Sequence, residues 1–210
     1  MADAVEKENV AGPAWELRFG CSLAVLAAVL AVNDLGGSKY GGDELQLSNE
    51  KTSAYLWYQS KGIKESLASG QRALLTGLLA GGAVRNEARG ELTAQIGTLE
   101  KKVARYEKEQ AEILKGSAAV GSENWVQDVD GALGKVVGAK EIEQALTRLG
   151  DAGDRFDLAN LFLQLSLVIG AIGIILRGEK GKRAFLGLMI TLGGIGAVCC
   201  VLAYVRAMGV

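Results

Sequence analysis

The chain is expected to be all-α, with three transmembrane helices and a helical, coiled-coil-containing extramembrane domain between the first and second. Three observations lead there. Arg18 to Asp34, Asp157 to Arg177 and Arg183 to Arg206 each enclose a run without a charged side chain. A bilayer core of ~30 Å needs roughly 20 mostly apolar residues from a crossing helix, and Ala184 to Val205 meets that outright. Between the first two runs lies one long polar segment, and no part of it alternates apolar and polar with the period of two that a strand requires.

Composition sets the outer limits. With 210 residues, 49% of them hydrophobic, and a single proline, a mean hydropathy of +0.19 suits a few spans plus one modest extramembrane region. The formal net charge of -1 supplies no field that would gather polyanions, so nucleic acid is not an expected partner. Cys21, Cys199 and Cys200 all fall inside proposed spans, which leaves the redox compartment open. Neighbouring helical residues such as Cys199 and Cys200 point about 100° apart, so this pair reads as small-residue packing rather than a soft-metal site.

Residues 1–14 carry Asp3, Glu6 and Glu8 against Lys7 without periodicity, and read as a mobile segment. Residues 15–35 form the first expected span, an uncleaved anchor: its leader is not cationic and no small-residue cleavage site follows Val32. Trp15 stands where an interfacial aromatic belongs, and Arg18 can snorkel.

Residues 36–157 form the expected extramembrane domain. Glycines from Gly36 to Gly42 lead into a helix starting near Ser48 or Thr52 and ending around Gly81-Gly82, where glycine can take the left-handed backbone of a helix end. Within segment 91–115, Leu92, Ile96, Leu99, Val103, Tyr106, Gln110 and Ile113 step by alternating four and three. That spacing keeps one stripe on one side of a helix wound at 3.5 residues per turn, the pattern of a coiled-coil seam. Around it, Glu100, Lys101, Lys102, Arg105, Glu107, Lys108, Glu109 and Glu112 read as solvated faces. Ser122 followed by Trp125, Val129, Leu133 and Val136 or Val137 suggests a short capped helix, and Ile142, Leu146 and Leu149 a further one leading through Gly150 and Gly153 to the second span.

Residues 158–176 and 184–205 form the second and third expected spans, joined by the basic loop 177–183 and followed by a tail, 206–210. Arg177, Lys180, Lys182 and Arg183 make that loop the best cytoplasmic marker. The amino terminus then lies inside and the central domain outside. Small residues recur at Gly20, Ala24 and Ala28; at Ser166, Gly170 and Gly173; and at Gly193 and Ala197 with Gly196 and Cys200, steps that let helix backbones approach in lipid. Asn160, Gln164 and Thr191 are the candidate intramembrane polar contacts, either between helices or toward a wet lumen.

Reactive chemistry finds no seat. There are no histidines, which removes Ser-His-Asp and Cys-His arrangements and the commonest zinc ligand. Gly131-x-x-Gly134-Lys135 and Gly178-x-x-Gly181-Lys182 lack the spacing and the Ser or Thr of a phosphate-cradling loop. Asp128 with Asp130, and Asp151 with Asp154 and Asp157, lack the ligand pattern of a calcium loop. No catalytic residue, cofactor or metal is expected. Tyr55, Trp57 and Tyr58, beside Lys61 and Lys64, are amphipathic rings suited to packing, to the membrane interface or to a partner. With Leu92, Ile96, Leu99, Val103 and Tyr106 they form the candidate partner surface.

At Trp57-Tyr58-Gln59-Ser60-Lys61-Gly62-Ile63-Lys64 the sequence resembles a family of bacterial inner-membrane proteins catalogued as domain-of-unknown-function family 4337. That family carries an amino-terminal span, an aromatic segment ending in Gln-Ala-Lys-x-Ile and a basic residue, a charged helical middle and a closing hairpin. Leu158-Ala159-x-x-Phe162-Leu163-Gln164 is similar to its Leu-x-Gln opening of the second span. Ser60 and Gly62 depart from the pattern, and the hairpin loop here is more basic. The resemblance implies this architecture and a bacterial inner membrane, and no activity.

The expected function is therefore non-enzymatic: a self-associating structural or scaffold protein of the bacterial cell envelope. Its partners are the lipid bilayer, further copies of the chain and a membrane or envelope protein. The rival is an oligomeric pore or transporter subunit with Gln164 and Thr191 lining a path.

Overall fold

The computed structural model describes residues 13–209, with side chains from Trp15 onward; the expected mobile segment lies, but for Pro13 and Ala14, outside them. Five α-helices account for most of these residues: α1 Pro13–Ala80, α2 Arg89–Lys115, the single turn α3 Ser117–Val120, α4 Ala139–Ile175 and α5 Glu179–Ala207. Among the described residues there is no strand, only an isolated bridge between Val129 and Ala132. The all-α expectation holds. The chain divides into two compact units, one of residues 1–45 and 147–210, the other of residues 46–146.

The first unit contains the three apolar runs, each in a helix long and apolar enough to cross a bilayer. In the part of α4 within this unit the buried positions are Leu149, Ala152, Phe156, Ala159, Leu163, Ser166, Gly170 and Gly173, and in α5 beyond the buried Lys182 they are Met189, Gly193, Gly196, Cys200, Ala203 and Ala207. Both series alternate steps of three and four, so each helix turns one narrow stripe inward. Glycine sets the closeness of packing. A Cβ at Gly173 would lie 2.6 Å from the Phe19 ring, and at Gly193 it would overlap Leu26. The small-residue steps of the second and third runs are thus contacts within one chain, whereas Gly20 faces open space.

The expected break at Gly36 to Gly42 does not occur, since α1 runs through it. Gly36 has another task. Its missing side chain lets Tyr204 and Phe156 approach, for a Cβ there would fall 2.6 Å from both the Tyr204 hydroxyl and the Phe156 ring. The Tyr204 hydroxyl donates to the Val32 carbonyl at 2.7 Å, and Tyr40 stacks on Phe156 while Tyr204 meets both rings edge-on, with centroids 5.1 to 6.0 Å apart. At Gly36 and Gly37 this packing offsets the helix cost of glycine, ~1 kcal/mol each, while Gly41 and Gly42 face open space.

In the second unit, residues 46–80 of α1 return into α2 through a tight end. Gly82 adopts φ +69°, Ala83 N–H bonds to Leu78 O and Gly82 N–H to Leu79 O, a Schellman closure of the helix. The expected helix after Ser122 is replaced by a 3-10 turn, Ser122–Asn124, and irregular chain. Asp130 and Gly131 take φ 52° and 77° between reciprocal bonds of Val129 and Ala132, a two-residue reversal that needs left-handed backbone at both positions. Helix is impossible there.

Candidate functional site

The α2 stripe lies against α1 inside the second unit. Val103 and Ile113 are buried, while Leu92, Ile96, Leu99, Tyr106 and Gln110 are half-buried. Facing them on α1, Leu47, Ala54, Tyr58, Lys61, Ala68, Leu75 and Leu79 are likewise withdrawn from solvent. Lys61 pairs with Glu109, Gly62 leaves room for Gln110, and Arg89 donates to the Leu79 carbonyl, so the two helices run antiparallel.

Glu109 and Glu112, expected on solvated faces, are in fact buried to about 1% exposure or less. The reason is local pairing. Glu109 binds Lys61 Nζ at 2.7 Å and Arg105 Nε at 2.8 Å. Burial alone would raise its carboxyl, but the bonds from Lys61 and Arg105 outweigh it and hold the group below the ordinary carboxylate range. A depressed folded value stabilises the hairpin in full above the unfolded carboxylate pKa and is lost as pH falls through the folded one. Lys61→Met should therefore destabilise the hairpin by about 2–4 kcal/mol at neutral pH, the deficit shrinking as acid neutralises Glu109. Hydrogen exchange of residues 103–113 at graded pH reads both effects.

Glu112 forms no ion pair among the described residues. Its carboxylate accepts from Ser117 Oγ at 2.8 Å, Val126 N–H at 2.8 Å and Gln127 N–H at 2.9 Å, while Ser117 Oγ in turn accepts from Val136 N–H at 2.9 Å. One buried acid thereby pins the irregular segment after α2 to its own helix. The sequence signal was present: a cluster of Gly116, Gly121, Gly131 and Gly134 leaves backbone N–H groups without a helical or sheet ladder, and those need an acceptor.

The aromatic trio separates. Tyr58 is a seam residue, whereas the Tyr55 hydroxyl donates to Glu143 on α4 at 3.2 Å; partial desolvation, then the bond to and charge of Glu143, raise the Tyr55 hydroxyl. Trp57 is half-exposed between them. Opposite the seam, α1 turns Leu56, Ile63, Leu67, Leu74 and Leu78 outward, at 42% to 70% exposure. These step by seven, four, seven and four. The stripe is on one side of the helix and nothing in the second unit covers it.

In the first unit the candidate polar contacts stay within single helices. Gln164 Nε2 donates to Asn160 Oδ1 at 2.8 Å and Thr191 Oγ1 to Gly187 O at 2.8 Å, and both Gln164 and Thr191 are exposed. The buried polar side chain between helices is instead Asn33, whose Nδ2 donates to the Phe156 carbonyl on α4 at 3.1 Å. Its place was visible in the four-three stepping from Phe19 through Leu23, Leu26 and Leu30. Among the described residues no three metal-ligating side chains gather.

Three helices long and apolar enough to span a bilayer, in a chain whose second unit is a helical hairpin with its own core, are the features of a membrane protein. The chain belongs to the family described as Domain of unknown function (DUF4337), whose model matches residues 15–206. Neither the curated proteins nor the solved structures contain a match.

Proposed function

We propose that this is a non-enzymatic scaffold of the bacterial inner membrane that self-associates through the outer face of α1. The amino terminus and segment 177–183, which includes the start of α5, then lie in the cytoplasm and the extramembrane unit outside; the basic residues of that segment support this placement. The observation that carries the reading is the uncovered stripe Leu56, Ile63, Leu67, Leu74 and Leu78. The α2 stripe is already served by α1, as a hairpin, which leaves this face as the apolar surface in need of a neighbour.

A second copy fits the face best. Steps of seven and four repeat every eleven residues, about 3.67 per turn, which suits pairing of like helices with a right-handed supercoil, and Ser60, Gly70 and Gly77, lying on the same face, let backbones approach. Between Thr52 and Val84 Lys64 is the one charged residue that is exposed, Lys61, Glu65 and Arg72 being half-buried, so apposing two such faces brings little like-charge repulsion. The stripe is about 33 Å long and a helix ~10 Å wide, on the order of 300 Å². That is short of the ~800 Å² per partner of stable complexes in solution, but anchoring both copies in one bilayer raises their effective concentration.

In detergent, after subtraction of the detergent mass, the particle should weigh a multiple of 22.0 kDa. Ile63→Glu with Leu67→Glu should return it to one chain. A particle of single-chain mass at all concentrations, or an oligomer indifferent to both substitutions, defeats the proposal; a co-purifying different protein on this face defeats it too.

A further inference from the structure

Within the first unit, the ends of α4 and α5 enclose a cavity of about 560 Å³ lined by Arg148, Arg155, Leu202, Val205, Arg206 and Gly209. Arg148 and Arg155 are seven residues apart, two turns, and so share a face of α4. Three arginines thus line one open pocket together with the apolar Leu202 and Val205. Among the described residues one carboxylate pairs with them: Asp151 approaches Arg206 at 3.6 Å, with both side chains about half-exposed. Arg148 spends one N–H on the Gly209 carbonyl at 3.4 Å. Half-buried Arg155 makes no hydrogen bond or ion pair with another described residue.

The location narrows the ligand. Arg155 precedes the second apolar run by three residues and Arg206 directly follows the third, so the arginines stand where hydrocarbon gives way to headgroups. Leu202 and Val205, 46% and 62% exposed, belong to the apolar run itself. A planar guanidinium fork matches phosphate oxygens two at a time, and an excess of two positive charges favours an anion over a zwitterion.

We infer that this cavity binds the phosphate group of an anionic amphiphile, held by Arg155 with Arg148 and Arg206, with the first acyl carbons resting on Leu202 and Val205. The inference needs the helices to cross a bilayer and is independent of self-association. The same arginines would accept free phosphate, and the two sources are separable.

The whole protein, purified in detergent, is titrated with phosphatidylglycerol, phosphatidylcholine and inorganic phosphate in turn, and bound molecules are counted by native mass spectrometry. Phosphatidylglycerol should bind at least tenfold more tightly than phosphatidylcholine. Arg155→Gln should reduce that preference to threefold or less, as should Arg148→Gln at a more exposed position, which guards against a folding defect in the first. Arg183→Gln, in the second turn of α5 before the third run, should leave the preference intact. Inorganic phosphate that binds alone and displaces the lipid identifies a water-borne phosphate ester as the ligand of the same site; no displacement identifies the lipid. Equal binding of both lipids together with no phosphate binding, or a preference unchanged in both arginine variants, overturns the assignment.

Discussion

Glu112→Ala is expected to release residues 116–138 from α2 and to cost about 3–5 kcal/mol. The Glu112 carboxylate is fully buried and accepts three bonds, two of them from backbone N–H groups that have no other acceptor in a segment without regular ladders. Bonds to an ionised group contribute about 1.5–3 kcal/mol each, and a buried donor left unpaired costs about 1–3 kcal/mol. The terms are not additive, because the freed loop can reach water. Glu112→Gln keeps one carbonyl acceptor but points an NH₂ at the remaining donors, and should lose about half as much. Hydrogen exchange is the test: Val126, Gln127 and Val136 should lose protection while 158–176 and 184–205 keep theirs. Undiminished protection in the alanine variant would mean the latch does not hold the loop.

Gly196→Leu should disrupt the first unit, by about 3 kcal/mol. A Cβ there would come within 2.7 Å of Leu163 Cγ and 3.1 Å of the Leu163 backbone nitrogen. The Leu163 side chain can rotate away; its backbone cannot. In lipid, where apolar helices gain nothing by leaving solvent, close approach is most of what holds them together, so separating α4 and α5 removes the main attraction. Gly194→Leu is the matched control. It adds the same side chain two residues away, where nothing lies within 4 Å of a Cβ, and should shift the thermal unfolding midpoint in detergent by little. Equal shifts for the two variants would contradict the packing described for Gly196.

The three membrane-length helices were legible because hydrocarbon imposes one demand on every residue it meets, and Phe19 to Asn33, Leu158 to Leu176 and Ala184 to Val205 satisfy it without help from the rest of the chain. The α2 stripe was legible for a similar reason. Its apolar residues repeat on one side of a helix whatever lies opposite. Elsewhere the same residue type had two readings, and local sequence did not choose between them. Gly36 was as good a hinge as a packing site until Phe156 and Tyr204, more than a hundred residues away, came against it. Asp130-Gly131, by contrast, carried a turn signal that the spacing of Trp125, Val129 and Leu133 masked.

The polar residues mark the division most clearly. Glu109 and Glu112 sit in a run of charge that looks solvated throughout, and burial singles them out because Lys61 reaches one from another helix and the Ser117 and Val126 donors reach the other after a chain reversal. Asn160 and Gln164 look like a contact between helices and are satisfied one turn apart on the same one.

By itself, the sequence determined that the chain is helical, that three of its segments suit a bilayer, and which side of α2 is apolar, since each follows from periodicity and solvent along a single helix. Only the tertiary structure decided which glycines are contacts, which carboxylates are buried, that α1 covers the α2 stripe, and that three arginines share one cavity. Those facts depend on atoms distant in the chain, and pairing across that distance is set by the fold rather than by any local preference.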